Sequence, residues 1–219
     1  MPFLLRVLAT SALGGIFAAT NVSPNDPLLG PGVSKELAAQ RAALLSDVRY
    51  DLRMTLTARD SAQGSVVVRF KAKRASDVIL DFRGRRLNNV RVNGAGNSAA
   101  TFNGAHLRVP AAAIRVGENA IAADFVTPIA PAGASIIRFH DDKDGSDYLY
   151  TLLVPSDANL LFPCFDQPDL KARMTLALTV PRGWQAIANG RTRSVDSSRT
   201  AADYRFNETD PLPTYLFAF

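Results

Sequence analysis

The sequence predicts an all-β chain, an antiparallel β-sandwich or saddle with one helix ahead of it. Two observations carry that expectation. From residue 48 onward, apolar residues recur with period two in short runs, the spacing of strands with one buried and one wet face. Between the runs stand Asn-Gly pairs and single glycines, which tight turns require. Many short strands joined by polar turns bury their apolar faces by packing sheet on sheet.

Taken in order, residues 22–33 ("VSPNDPLLGPGV") are rich in Pro and Gly and read as linker. The run 34–47 ("SKELAAQRAALLSD") is built of helix formers. Ser34 is placed to cap it, and Leu37, Ala38, Leu44 and Leu45 fall on one side. At Val48 the period changes. Val48, Tyr50, Leu52, Met54 and Leu56 alternate with Arg49, Asp51, Arg53 and Thr55, a half-buried strand. Further strands are expected at 64–73, 77–82, 88–94, 105–110, 119–128, 134–140, 146–155, 172–181, 184–190, 201–208 and 214–219. Asn93-Gly94, Asn103-Gly104, Gly117 and Asn189-Gly190 mark turns. No internal repeat and no second domain is visible, so 47–219 reads as one β domain behind a linker and helix at 22–46.

Composition narrows the function classes. The chain has 219 residues, 47% hydrophobic and 21% charged, enough to bury a real core, and a net charge of +5. The basic cluster "RGRRLNNVR" (83–91) reads as a solvated loop. No aromatic side chains interleave with it, so nucleic acid is not an expected partner. A single cysteine excludes an internal disulfide framework and a Cys-rich zinc site. His106 and His140 lie far apart, and no H-E-x-x-H occurs, so no catalytic or metal-ligating set is expected in this chain. In "HDDKDGSD" (140–147), aligning Gly145 with the sixth position of a calcium loop puts His140 first and Thr151 twelfth. Both are wrong ligands, and an acidic hairpin turn is the better reading.

Residues 1–21 have the form of a secretory signal: one positive charge, an apolar stretch from Val7 to Ala19, then small residues. Cleavage is expected around 18–21, and export to the periplasm or the exterior follows. The stretch is short for a stable membrane span and is interrupted by Thr10, Ser11 and two glycines. "NVS" (21–23) and "NET" (207–209) match the glycosylation sequon, a weak pattern alone.

The densest signal is "LLFPCFDQPDLKARMTL" (160–176), which sets the only thiol, Cys164, between Pro163 and Phe165. The prolines fix a bent loop, with Phe162 and Phe165 as anchors. No base lies near enough to activate Cys164, which reads as a buried small hydrophobe. Asp166 is expected to cap the turn through Gln167, Pro168 and Asp169.

With its flanks, this stretch resembles the N-terminal domain of the aminopeptidase N family of zinc metallopeptidases. The matching pieces are Tyr150-Thr151, Asp157-Ala158, Phe162 to Pro168, Lys171-Ala172, Trp184, Asn189-Gly190 and the closing "FNETDPLPTYLFAF". The resemblance covers about 46–219 and implies a β saddle lying against a following thermolysin-like domain. That second domain would carry the zinc ligands and the glutamate base for removing N-terminal residues from peptides. The family's G-x-M-E-N segment and H-E-x-x-H helix do not occur here, so this chain would be the non-catalytic part, its cofactor zinc held elsewhere. Its partners would be its own catalytic domain and peptide substrates. The resemblance also places Leu152 and Val154 at two S1-pocket positions where many members carry Gln and Glu or Gln. An apolar side chain cannot hold an ammonium group, so an apolar S1 wall or a homologue working differently is implied. The simpler alternative is that residues 152–154 extend a buried strand. The apolar stop at Phe219 reads as a cut within a longer chain. Two rival functions remain: a stand-alone β-sandwich binding module, and a family member without peptidase action.

Overall fold

The computed structural model describes residues 26–96 and 99–219. The expected signal segment and the first sequon lie outside these residues.

Helix α1 (Lys35–Leu44) forms where the helix formers cluster. The Ser34 hydroxyl accepts a hydrogen bond from the Leu37 amide at 3.1 Å, capping the first turn. Its buried residues are Leu37, Leu44 and, against any amphipathic pattern, Arg41. The strands follow as β1 (Leu45–Thr55), β2 (Ser61–Ala72), β3 (Val78–Asp81), β4 (Arg86–Val92), β5 (Ala95–Gly96), β6 (Thr101–Phe102) and β7 (His106–Val109). Then come β8 (Gly117–Ala130), β9 (Ile136–Asp141), β10 (Ser146–Thr151), a one-turn helix α2 (Ala158–Leu161), β11 (Ala172–Pro181), β12 (Thr192–Ser197) and β13 (Ala201–Phe206).

The large sheet runs β10-β9-β8-β2-β1-β11-β13-β12, with β4 and β5 branching from β8; the small sheet is β3-β7-β6. Val48, Tyr50, Leu52 and Met54 of β1 face inward, and β11 alternates buried and half-buried along its whole length. The two strands lie parallel, with Tyr50 opposite Met174 and Leu52 opposite Leu176. Strand β3 is buried at every residue: Val78 and Leu80 join the core, and Ile79 and Asp81 take the hydrogen bonds of Arg41 from α1. Each fully buried Leu or Phe there stabilises the fold by about 1.5–3 kcal/mol relative to exposure.

The mostly-β architecture with one substantial helix agrees with the periodicity. Several details correct it. The β1–β11 pair and the short β8–β9 pair are parallel, where antiparallel pairing was expected. Residues 184–190 form no strand, and 214–219 begin with a 3-10 turn at Thr214–Leu216. Polar β12 gave no apolar alternation to detect; it is an edge strand held by β13 alone. The basic cluster 83–91 is not a loop throughout, since Arg86 to Arg91 belong to β4.

Asn93-Gly94 is a tight turn with φ positive at both residues, the backbone that Asn-Gly suits. Gly190 serves differently: a Cβ there would run into the Asn207 carbonyl oxygen. The acidic segment 140–147 is the expected hairpin turn between β9 and β10, with Gly145 at φ 69°. The linker is packed down: Asn103 Nδ2 donates to the Leu29 carbonyl at 3.2 Å and His106 Nε2 lies 2.7 Å from that of Gly30.

Candidate functional site

Two neighbourhoods bring the sequence-selected residues together. The first is the loop 162–168. Phe162, Pro163, Cys164, Phe165, Asp166 and Gln167 are all buried, and Pro168 is exposed. The aromatic anchors hold as expected, Phe162 edge-on to Tyr50 at 5.5 Å and Phe165 edge-on to Phe70 at 5.7 Å. The Cys164 backbone bridges to Asp81 of β3 through N–H···O distances of 2.7 and 3.1 Å. Burial pushes the Cys164 thiol well above its usual range, with the Asp166 and Asp81 charges adding to the effect. It is not poised to attack anything.

Asp166 does not cap the 167–169 turn. Its carboxylate instead accepts from the Asn159 amide at 3.0 Å, from Asn159 Nδ2 at 2.6 Å and from the Thr214 hydroxyl at 2.8 Å. It ties α2 and the chain's final segment to the loop. Sequence distance hides this, since Thr214 is 48 residues away.

Beneath the loop lies a buried ionic group that the sequence reading missed. Arg41 of α1 makes a two-pronged pair with Asp81, at 2.8 and 2.7 Å, and donates to the Ile79 carbonyl. Asp81 also meets His106 Nδ1 at 2.9 Å and the Asp166 amide at 2.9 Å. Burial alone would raise the Asp81 pKa; the His106 hydrogen bond and the Arg41 charge outweigh it and hold the carboxyl below its ordinary value. His106 is the mirror case. Burial pulls its pKa down, but Asp81 and the Gly30 carbonyl, one acceptor at each ring nitrogen, raise it overall. Only the imidazolium can donate to both. Every member is paired and interior, so the cluster fixes structure.

The second neighbourhood is the edge after β10. Tyr148, Tyr150, Leu152 and Val154 stand two residues apart and are all exposed, Leu152 at 53% and Val154 at 57%. Leu153 between them is 2% exposed and joins the core. The alternative of a buried strand through 152–154 does not match the structure: β10 ends at Thr151, and Leu152 and Val154 are exposed on either side of buried Leu153. The final segment lies alongside. The Thr151 amide donates to the Phe219 carbonyl at 3.2 Å, and Asn189 Nδ2 donates to the Leu216 carbonyl at 3.0 Å. Exposed Leu216 and Phe139 extend the apolar character of this end of the molecule.

Among the described residues, no group of three or more His, Cys, Asp or Glu side chains is placed to hold a metal ion. No helix among them is long and apolar enough to cross a membrane.

The fold is therefore a branched large sheet and a separate small one, with the proline-bent aromatic loop bridged to the small sheet through Cys164 and Asp81. Residues 46–216 match the family Peptidase M1 N-terminal domain, and the chain belongs to that family. It is 30% identical over 194 residues to aminopeptidase N of Streptomyces lividans, covering 86% of this chain and 22% of that protein. Human glutamyl aminopeptidase is 38% identical over 68 residues, 30% of this chain and 7% of the relative. Among solved structures, the M1 zinc metallopeptidase of Deinococcus radiodurans shares the fold, with TM-score 0.62 at 22% identity. A point mutant of it gives 0.65 at 20% identity. Both alignments cover 80% of this chain and 41% of the solved one. The chain thus spans about a fifth of the Streptomyces relative and two-fifths of the Deinococcus structure.

Proposed function

We propose that this chain is the N-terminal, non-catalytic domain of an exported zinc aminopeptidase, supplying scaffold and one apolar wall of the S1 pocket. The observation that carries the reading is the exposed apolar row ending in Leu152 and Val154, held against the final segment by Thr151. An exposed row of this kind is a surface made to be covered. The partner that covers it is the catalytic domain that follows in the relatives, and the ligand at its rim is the first side chain of a peptide. Zinc belongs to that domain, where it activates water for hydrolysis. This domain's own residues bind and orient; none of them moves a proton. Export rests on the signal-like residues 1–21.

The test has two arms. The 219-residue chain alone should show no turnover of aminoacyl-nitroanilides and no stoichiometric zinc, and should self-associate in light scattering through its apolar edge. Chelator-sensitive turnover would overturn the assignment. In the gene product carrying the catalytic domain, substrates with an apolar first residue should be preferred, and Leu152→Gln with Val154→Glu should lower kcat/KM for them by roughly tenfold or more. A preference for basic first residues would remove the S1 assignment and leave the scaffold role. Leu and Val at these positions also favour a second reading, a homologue without peptidase action; an inactive full-length protein that still binds peptides would select it.

A further inference from the structure

We infer that the solvent face of the large sheet carries a binding groove for a linear polyanion whose charges sit on tetrahedral oxyanions. Two shallow cavities, of about 560 and 400 Å³, lie side by side on that face and share the wall formed by Arg53, Ser65, Ala177 and Arg205. Strand register explains the wall. Arg53 of β1 stands opposite Ala177 of β11, and Ala177 stands opposite Arg205 of β13. The three side chains share one face, and the methyl group in the middle leaves a gap between two guanidinium groups. Arg86 lines one cavity beyond this gap, and Arg69 and Arg193 line the other.

The groove's carboxylates are already engaged. Asp51 pairs with Arg69 and accepts from the Thr175 hydroxyl at 2.6 Å. Asp124 accepts from Asn89 Nδ2 at 2.7 Å, and Asp203 accepts from the Thr179 hydroxyl at 2.5 Å. Arg53, Arg193 and Arg205 have no carboxylate oxygen within 4.0 Å among the described residues. Five arginines against three aspartates leave a positive surplus. It is carried by guanidinium forks, which match phosphate and sulfate oxygens two at a time. A concave basic wall also concentrates the local field. The groove crosses the strands from β4 to β12, so its occupant is a chain of charges, not a single ion. The aromatic residues of the lining are turned to the core: Phe125 and Phe206 are buried, and half-buried Tyr204 packs against the core with its hydroxyl donating to the Trp184 carbonyl, so none lies free for bases to stack on.

The probe is inorganic tripolyphosphate, titrated into the full chain by calorimetry at low salt. Saturable binding that weakens as salt is added is expected. Arg53→Ala with Arg205→Ala should weaken it by about tenfold or more. Arg53→Lys with Arg205→Lys, which keeps the charge and loses the fork, should fall between. Arg74→Ala with Arg199→Ala removes two exposed charges away from the groove and should bind like the parent chain. Urea midpoints equal to the parent's establish that each variant is folded. No saturable binding, or equal weakening by the groove and control pairs, would overturn the assignment.

Discussion

Replacing Asp81 by Ala removes one carboxylate and strands several donors at once. The Asp81 oxygens accept from both terminal nitrogens of Arg41, from His106 and from the Asp166 amide. Arg41 and Asp81 side chains are only 3% and 4% exposed, so the guanidinium left behind is held away from bulk water. A buried pair broken by deleting one member costs about 3–5 kcal/mol, because an uncompensated charge remains inside. Against a typical total of about 5–15 kcal/mol, that is a large fraction. For a chain of this size it corresponds to a fall of about 6–20 °C in Tm. The assay is urea denaturation followed by Trp184 fluorescence, with the slope unchanged and the midpoint shifted. The companion is Arg41→Met, which keeps most of the packing stem. The double variant should lose less than the sum of the singles by roughly 1–3 kcal/mol, because the stranded guanidinium is gone. A loss below about 1 kcal/mol for Asp81→Ala, or strict additivity in the double variant, would refute the view that this pair is the ionic centre of the fold.

The other predictions rest on the same interior. His106 has its pKa raised above its ordinary 6.5 in the folded chain, so its contribution is fully present below that value and is lost as pH rises through the higher folded pKa. It faces Asp81 from β3, Arg41 from α1 and the Gly30 carbonyl, and its deprotonation removes one of its two hydrogen bonds. The stability gap between the parent chain and His106→Gln should therefore be widest on the acid side and narrow on the alkaline side. A gap constant from about pH 5 to about pH 9 would contradict this. Cys164 should resist thiol reagents in the native chain and react on unfolding, and Cys164→Ala should cost about 1 kcal/mol or more through lost packing. Labelling at the same rate with and without denaturant would show that the loop is open.

Much of this fold was legible in the sequence because burial imposes a period. Alternation in 48–56 and 172–180 predicted β1 and β11, and Ser34 predicted the helix start, since an N-cap is a local hydrogen bond. The buried state of Cys164 and its aromatic neighbours was also readable, because two prolines and two phenylalanines fix a loop's path and its anchors. What stayed hidden involves partners far apart in the chain. Nothing local shows that Arg41 faces Asp81 forty residues on, or that Asp166 serves Asn159 and Thr214 instead of its own turn. Polar β12 has no pattern of its own and exists because β13 offers it an edge. The parallel pairing of β1 with β11 is likewise decided by topology, since alternation reads the same in either direction. Leu152 and Val154 show the division most plainly. Their apolar character was in the sequence, but whether they joined the core or faced outward depended on where β10 ended and which side chain, Leu153, the core could take. Local chemistry chose the elements. The competition among them for a single dry interior chose which side chains were left outside to meet something else.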